Sequence, residues 1–245
     1  MALYQSITKN GANLFRYRSF IPLILYPLAI ITIFAEKDSI VSTNELTLSF
    51  ICIAISLLGL VVRALVIGYV PPNTSGRNRN NQKASTLNKT GIYSVVRHPL
   101  YLGNFLMWVG IILYVGHFWF AIVCILLFWL YYERIMLTEE KFLIEKFGDS
   151  YHEWAQETPS FIPDFTKWKR ASLSFSLKKV IKREYRGLVA VLISMGVIHL
   201  IKTYAVYGTI NIHPFWLITS AASICLFLFL RILTKTTNLF KTQGR

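Results

Sequence analysis

An arginine, a histidine and a proline follow one another where a polar loop meets an apolar segment, at Arg97-His98-Pro99. Proline disfavours the α conformation in the residue before it and suits the first position of a helix, so a helix is predicted to begin at Pro99 with His98 as its cap. The N–H groups of a helix start, together with the donors of Arg97 and His98, form a site for a small anion such as a carboxylate. A helix cap with surface cations is an equally good interpretation of this segment alone.

The chain is expected to fold back after this helix start. Two apolar runs, Pro99–Val115 and Phe118–Tyr132, are separated only by Gly116 and His117, which predicts a tight helical hairpin. Both runs are short for membrane spans, so their polar ends should lie near the interface. The second helix can continue as an amphipathic stretch that Gly148 ends.

Two adjacent carboxylates, Glu139 and Glu140, lie in that continuation, and the hairpin should bring them beside His98. A cationic helix start that faces two carboxylates suits an amino-acid zwitterion. S-adenosylmethionine has such an end, and Tyr93 and Tyr101 are placed to contact its sulfonium by cation–π attraction. The alternative is that the two glutamates lie on a solvated helix face.

The composition is that of a polytopic membrane protein, because 54% of the 245 residues are hydrophobic and the mean hydropathy is +0.46. The net charge of +14 comes largely from cations that flank apolar runs, which favours a lipid bilayer over nucleic acid as the partner. We expect an all-α protein with six membrane helices: Phe20–Phe34, Leu46–Val70, Pro99–Val115, Phe118–Tyr132, Gly187–Tyr207 and Ile212–Leu233.

All but three of the 26 lysines and arginines lie in the N-terminus, the 71–98 loop, the 133–186 region and the C-terminus. Six spans place these segments on one face, which is predicted to be cytoplasmic and to carry the candidate site. A single membrane domain, 1–245, is expected, with four parts: two spans (1–70), a core with the site (71–163), a basic linker (164–186) and a two-span extension (187–245).

Three ionisable residues lie inside apolar runs. Arg63 either snorkels to the interface or faces a polar cavity, and the sequence favours neither. An ion path is conceivable for His199 and Lys202, but packing and snorkelling are favoured. The cysteines also lie in apolar runs without paired spacing, so neither a disulfide framework nor a metal site is indicated: Cys52, Cys124 and Cys225.

The segment Lys167–Arg186 is basic, with aromatic and aliphatic residues interleaved. This pattern predicts an interfacial helix against anionic headgroups, and a solvated linker is the alternative.

Three motifs resemble one known superfamily. They are Gly91-x-Tyr93, Arg97-His98-Pro99-x-Tyr101-x-Gly103 and Glu139-Glu140-x-x-Leu143-x-x-x-Phe147-Gly148-x-x-Tyr151, followed by Pro159 and Pro163. Over about residues 76–163 this combination resembles the isoprenylcysteine carboxyl methyltransferase and phospholipid methyltransferase superfamily. The resemblance implies an all-helical membrane enzyme that transfers a methyl group from S-adenosylmethionine to a lipidic acceptor entering from the bilayer.

The resemblance also implies which residues bind the cofactor: Tyr93, His98, Pro99, Leu100, Tyr101, Glu139 and Glu140, with Ser85, Thr86, Leu87 and Asn88 at the place of the family's lid.

The likeness is incomplete at the acceptor end. In the prenylcysteine enzymes an arginine precedes the first glutamate by four residues, whereas here Ile135 stands there and Arg134 is one residue away, a helical rotation of ~100°. The prenylcysteine enzymes also tend to have basic residues before the proline that corresponds to Pro159, where this chain has Gln156-Glu157-Thr158. Both departures argue against a prenylcysteine carboxylate, although Arg134 stays nearest to the chemistry and is the expected catalytic residue.

Cations surround the predicted site, so we expect a phosphate-bearing lipid as the acceptor. The superfamily has a bacterial branch that methylates the phosphate of lipid A, which predicts an enzyme of the bacterial inner membrane. The expected acceptor ligands are Arg63, Arg77, Arg79 and Arg134, with Lys83 and Lys89 nearby. The alternatives are O-methylation of a prenylcysteine carboxylate, N-methylation of a phospholipid amine, a small transporter that uses Arg63, His199 and Lys202, and a structural membrane protein.

Overall fold

The structure is a computed structural model, and it describes residues 3–40, 45–71, 74 and 84–240. Over these residues the chain is helical and contains no strand, which confirms the expected all-α class. The helices are α1 (Leu3–Tyr17), α2 (Leu25–Ala35), α3 (Lys37–Ile40), α4 (Glu45–Tyr69), α5 (Pro99–Tyr114), α6 (Phe118–Phe147), α7 (Asp149–Glu157), α8 (Leu177–Tyr207) and α9 (Pro214–Thr236).

Four of the described helices, α4, α6, α8 and α9, are long and apolar enough to cross a membrane. A fifth candidate is the pair Asn10–Tyr17 and Ile21–Ala35, which is bent by 77°. The remaining predicted span, α5, has 16 residues and a length of about 24 Å, less than the ~30 Å hydrocarbon core. The expected six spans are therefore confirmed only as four, or as five with the bent pair.

The predicted hairpin is confirmed. Helix α5 begins at Pro99, as expected, and the turn to α6 uses Gly116 at φ 83°. His117 accepts a hydrogen bond from the backbone N–H of Phe120 (3.2 Å) and so caps α6, which runs for 30 residues to Gly148. The long α6 thus carries Glu139 and Glu140 back to the level of the α5 start.

Small residues let α4 and α5 pack closely. A Cβ at Gly59 would collide with the carbonyl oxygen of Gly103, and a Cβ at Gly110 would collide with Ser56. The Ser56 hydroxyl donates to the carbonyl of Met107 at 3.0 Å. Close backbone approach at small residues is the usual basis of helix association in membranes, and here it fixes α4 against the helix that begins the site.

Helix α1 packs on α6, although the sequence suggested no more than cations ahead of the first span. A Cβ at Gly11 would collide with the Arg134 carbonyl and the Thr138 hydroxyl, so α1 lies directly on this face of α6. Phe15, near the end of α1, is buried in the main core.

Of the interfacial helix predicted over Lys167–Arg186, the structure confirms helix only from Leu177, and the first half of the range is not α-helical. A short 3₁₀ turn ends at Lys167, and α8 begins only at Leu177 and continues without a break into the membrane-length segment. The N–H of Ser176 donates to the Gly68 carbonyl (3.0 Å), and the buried Lys179 ammonium donates to Val70 (2.6 Å). These bonds tie the segment to the end of α4 because they satisfy carbonyls that the helix leaves unpaired.

Packing is confirmed for His199 and Lys202, but snorkelling is wrong for Lys202. Both side chains are buried, and the Lys202 ammonium lies 3.6 Å from the Glu45 carboxylate. An acidic partner on α4 holds the ammonium inside the bundle, where no partner was anticipated from the sequence.

Candidate active site

A cavity opens where the start of α5 meets the distal half of α6, and α4, α7 and α8 complete its walls. Most of the predicted site residues line it: Arg63, Thr86, Leu87, Asn88, Tyr93, His98, Pro99, Leu100, Tyr101 and Glu139. Aromatic and aliphatic side chains fill the gaps between them, including Phe142 and Leu143. A mostly apolar cleft with a few convergent polar groups is the usual form of a small-molecule site.

The imidazole of His98 is buried and lines this cavity at the start of α5. Its Nε2 lies 2.9 Å from Oε1 of Glu140, and its Nδ1 lies 3.8 Å from Oε2 of Glu139. The same Glu140 oxygen accepts from Nε of Arg97 at 3.0 Å. Glu140 is therefore occupied by protein partners, whereas Glu139 lines the cavity.

Arg97 also fastens the end of α7 beneath the site. Its guanidinium donates to the carbonyls of Ala155 (2.6 Å) and Thr158 (2.8 Å), where the negative end of the helix dipole favours a cation. Its backbone N–H donates to Pro159 (2.9 Å), and that of His98 donates to Ser160 (3.1 Å). Arg97 and His98 were assigned to anion binding from the sequence, but in the structure their hydrogen bonds mainly hold the start of α5 in place.

One wall consists of aromatic residues from α7 and from the 3₁₀ turn Ile92–Ser94 that precedes α5. The Trp154 indole donates to the Tyr93 carbonyl at 3.1 Å. Removal from water raises the pKa of both Tyr93 and Tyr151 well above the usual range, so both phenols stay neutral at physiological pH. The Tyr151 hydroxyl is buried and has no hydrogen-bond partner among the described residues, and Tyr151 lines the cavity.

The predicted lid contributes three of its four residues to the cavity wall, Thr86, Leu87 and Asn88, while Ser85 is exposed and is not among the described lining residues. The Lys89 ammonium donates to the Ser150 hydroxyl (2.7 Å) and so ties this segment to α7. The predicted acceptor ligands Arg77 and Arg79, with Lys83, lie outside the described residues.

A second polar group of the cavity lies around Arg63, whose partner Asn104 is five residues beyond the start of α5. Its guanidinium forms two bonds to the Glu184 carboxylate, Nε to Oε2 at 2.6 Å and Nη2 to Oε1 at 2.8 Å, and Nη1 donates to Asn104 at 2.5 Å. Asn104 donates in turn to the Tyr132 hydroxyl at 3.2 Å. Of the two interpretations of Arg63, the structure selects the polar cavity.

The sequence did not single out Glu184 or Asn104. Both carried a weak signal, since Asn104 is a lone amide in an apolar run and Glu184 is the one acid between Lys167 and Arg186.

Arg134 lies away from the described cavity lining. Its guanidinium donates to the Leu130 carbonyl of its own helix at 3.0 Å, on the part of α6 that Gly11 of α1 contacts. The cavity receives Arg18 instead, which follows α1 and lies 3.9 Å from the centre of the Phe15 ring. The catalytic role expected for Arg134 stays a prediction, and the sequence had not suggested Arg18.

Comparison with known proteins places this core in a family context. A family model described as phospholipid methyltransferase matches residues 47–150, which contain α4, α5 and α6 with the His98 and Glu140 pair. Residues 47–150 are related to the phospholipid methyltransferases. The resemblance to the superfamily of integral-membrane methyltransferases is thereby confirmed for the core that carries the site.

Three individual relatives match parts of the chain, and two of them are methyltransferases by name. The chain is 38% identical over 73 residues to a protein-S-isoprenylcysteine O-methyltransferase of Schizosaccharomyces pombe, which covers 30% of this chain and 31% of the relative. It is 35% identical over 81 residues to methanethiol S-methyltransferase 1 of Bradyrhizobium diazoefficiens (33% and 26%). It is also 33% identical over 132 residues to the cobalt-zinc-cadmium resistance protein CzcN of Cupriavidus metallidurans (54% and 55%).

These matches span between about a quarter and just over half of the relatives' own lengths. No solved structure matches the chain significantly. Helices α8 and α9 lie outside the region that the family model matches.

Proposed function

We propose that this protein transfers a methyl group from S-adenosylmethionine to an acidic oxygen of a membrane lipid acceptor. The observation that carries the proposal is the buried pair of His98 and Glu140 beside the cavity-facing Glu139, built into the part of the chain that is related to methyltransferases.

The residues present fit the cofactor. Glu139 offers a carboxylate to an ammonium group, and the positive end of the α5 dipole suits a carboxylate. The rings of Tyr93 and Tyr101 line the same cavity and suit a sulfonium. The buried Tyr151 hydroxyl, which has no described protein partner, supplies a further donor toward a ligand.

S-adenosylmethionine would supply an electrophilic methyl group on its sulfonium. The protein's task is then to hold an acceptor oxygen in line with that methyl and to exclude water. A phosphate or carboxylate oxygen is already ionised at neutral pH, so the site needs no strong base. Arginines would orient the acceptor rather than transfer its proton.

The charge of the cavity favours an acidic acceptor. Its described lining includes four arginines and two glutamates, and the balance stays positive after Glu140 is counted as the partner of Arg97: Arg18, Arg63, Arg97, Arg183, Glu139 and Glu184. Neutral thiols and amines would gain nothing from these cations.

Two acidic acceptors follow from separate observations. The arginine-rich cavity supports a lipid phosphate, such as that of lipid A, because guanidinium groups bind phosphate bidentately. The names of the yeast relatives support a prenylcysteine carboxylate. We place the lipid phosphate first, because the sequence departs from the prenylcysteine enzymes at Ile135 and at Gln156-Glu157-Thr158. The prenylcysteine carboxylate is the second candidate.

The proposal includes a location. The candidate site would face the cytoplasm from a bacterial inner membrane, in a single domain crossed by six spans that include the short α5. The distribution of lysine and arginine supports this arrangement, since it leaves the 36–45 and 203–211 loops poor in cations.

The test uses purified protein in detergent. Calorimetry should detect binding of S-adenosylmethionine or of its demethylated product, and no heat at high micromolar ligand would contradict the proposal. Transfer of a radiolabelled methyl group to lipid A, to phosphatidic acid, to N-acetyl-S-farnesylcysteine and to methanethiol then identifies the acceptor. A transporter would keep its function after loss of His98 or Glu139, whereas the enzyme would not.

A further inference from the structure

We infer that α8, outside the region matched by the family model, completes the acceptor end of the cavity, with Glu184 as the positioning residue that orients Arg63 toward the acidic group of the acceptor. The inference rests on the proposed function and deepens it. It assigns a role to the C-terminal extension, whose α8 contributes Arg183 and Glu184 to the cavity lining.

The pairing of Arg63 with Glu184 is bidentate. Nε and Nη2 face the two carboxylate oxygens at 2.6 and 2.8 Å, and Nη1 donates to Asn104 at 2.5 Å. Three contacts from two different helices fix the plane of the guanidinium. An arginine held in this way loses little further freedom when it binds a ligand, which is the benefit of preorganisation.

The guanidinium still has capacity for a ligand. Arginine carries five N–H donors, and the bonds to Glu184 and Asn104 use three, so two remain as far as the described residues show. The Arg63 side chain is 22% exposed and lines the cavity, whereas that of Glu184 is 8% exposed. The carboxylate is thus the buried support, and the guanidinium is the group that an incoming anion would meet.

The helices around this pair are packed so that the two side chains must meet. A Cβ on Gly103 would lie 2.5 Å from Cγ of Arg63, so glycine there leaves room for the arginine stem. Gly187, one turn after Glu184, lets α8 approach Leu60 of α4 closely, since a Cβ there would lie 3.2 Å from the leucine. The approach brings Glu184 to Arg63 across 121 positions of sequence.

The depth of the pair suits a lipid acceptor. Asn104 follows Pro99 by five residues, so the Arg63 layer lies roughly 8 Å further along α5 than the helix start where His98 and Glu139 meet. Groups for a soluble cofactor therefore line the outer layer, and a cation for an acidic headgroup lines the layer nearer the membrane interior. An acceptor that is anchored in the bilayer approaches from that inner side.

The experiment compares Glu184→Gln, Glu184→Asp and Arg63→Lys with wild-type protein in nanodiscs, and Glu133→Gln on the exposed side of α6 is the matched control. The acceptors are phosphatidic acid and N-acetyl-S-farnesylcysteine, and methanethiol is the uncharged probe. We expect Glu184→Gln to lower kcat/KM for the preferred acidic acceptor by roughly ten- to hundredfold, the scale of a misplaced positioning group. The Kd of S-adenosylmethionine and any transfer to the thiol should stay within about twofold, and Glu184→Asp should restore part of the loss.

The outcomes separate the two proposals. An active wild type whose kcat/KM for the acidic acceptor is unchanged in Glu184→Gln overturns the inference and leaves the proposed function intact. Equal loss of cofactor binding and transfer in Glu184→Gln also overturns it, since Glu184 would then only hold the cavity together. A wild type that binds the cofactor but methylates neither acidic probe, nor lipid A in the assay above, overturns the proposed function as well.

Discussion

The Nε2 atom of His98 and the Oε1 atom of Glu140 lie 2.9 Å apart, and that oxygen also accepts from Arg97. Glu139, the next residue, instead borders the cavity, and its carboxylate is 31% exposed. Two neighbouring glutamates therefore have different surroundings, because successive residues on a helix point ~100° apart. The sequence had assigned both of them to cofactor binding.

We predict that substitutions of these two glutamates separate binding from stability. Glu139→Gln should weaken binding of S-adenosylmethionine by about 1.5–3 kcal/mol, the scale of a hydrogen bond to a charged group, and leave the melting temperature nearly unchanged. Glu140→Gln should lower the melting temperature, because the partly buried Arg97 guanidinium loses its counter-charge and its bond to a charged oxygen becomes a weaker bond to an amide. Calorimetry and thermal unfolding in detergent measure the two effects, and equal affinity losses without a difference in stability would contradict the division.

The sequence predicted helix ends correctly where a proline or a glycine marks them. Pro99 begins α5, Gly116 turns the hairpin and Gly148 ends α6, because each signal acts on its own backbone. The same reasoning brought His98 and Glu139 to one cavity. The hairpin required only the lengths of two neighbouring helices.

Contacts between distant segments were not predictable in this way. Arg63 meets Glu184 across 121 positions, and α1 packs on α6 through Gly11, which has no side chain to mark it. Lys202 was expected to reach the interface, because the sequence does not show that Glu45 lies opposite it. Periodicity identifies an apolar face, but it does not identify the helix that covers that face.

We predict that Arg18 contributes more to acceptor recognition than Arg134. Arg18 lines the cavity, whereas Arg134 donates to Leu130 within α6 and is absent from the described lining. Arg18→Ala should raise the KM for an acidic lipid about tenfold or more, and Arg134→Ala should change it less than about threefold, since a charged hydrogen bond is worth about 1.5–3 kcal/mol. Steady-state transfer assays in nanodiscs decide between them, and a larger effect of Arg134→Ala would restore its expected catalytic role.

We predict that the cavity and the 208–213 loop open to opposite sides of the membrane. In a Cys225→Ser background, Glu153→Cys on α7 should resist a membrane-impermeant maleimide added to intact cells and react after lysis, while Ile210→Cys should react in intact cells. Glu153 and Ile210 are both exposed, and they lie at opposite ends of the long helices. The positive-inside rule places the basic side in the cytoplasm. Labelling of Glu153→Cys from outside would reverse the topology.

The second ionic cluster, Glu45 with His199 and Lys202, joins the extension to the core. Nδ1 of His199 lies 3.1 Å from Glu45, and Nε2 accepts the backbone N–H of His213 at 3.2 Å. An imidazole nitrogen that accepts a hydrogen bond carries no proton, so His199 is neutral and Nδ1 donates. Lys202 is then the cation that balances Glu45, and it also lies 5.0 Å from the centre of the Tyr114 ring.

This assignment predicts an asymmetric double-mutant cycle. Glu45→Ala should destabilise the protein by about 2 kcal/mol, because it leaves the buried Lys202 ammonium without a counter-charge. Breaking a fully buried pair costs about 3–5 kcal/mol. The loss expected here is smaller because the Glu45 side chain is 35% exposed. Lys202→Met should cost less, because Glu45 keeps His199 and contact with solvent. The double variant should then be more stable than Glu45→Ala alone, with a coupling of at least about 1 kcal/mol. Thermal unfolding in detergent at one pH measures all four proteins, and additive losses would show that Lys202 does not depend on Glu45.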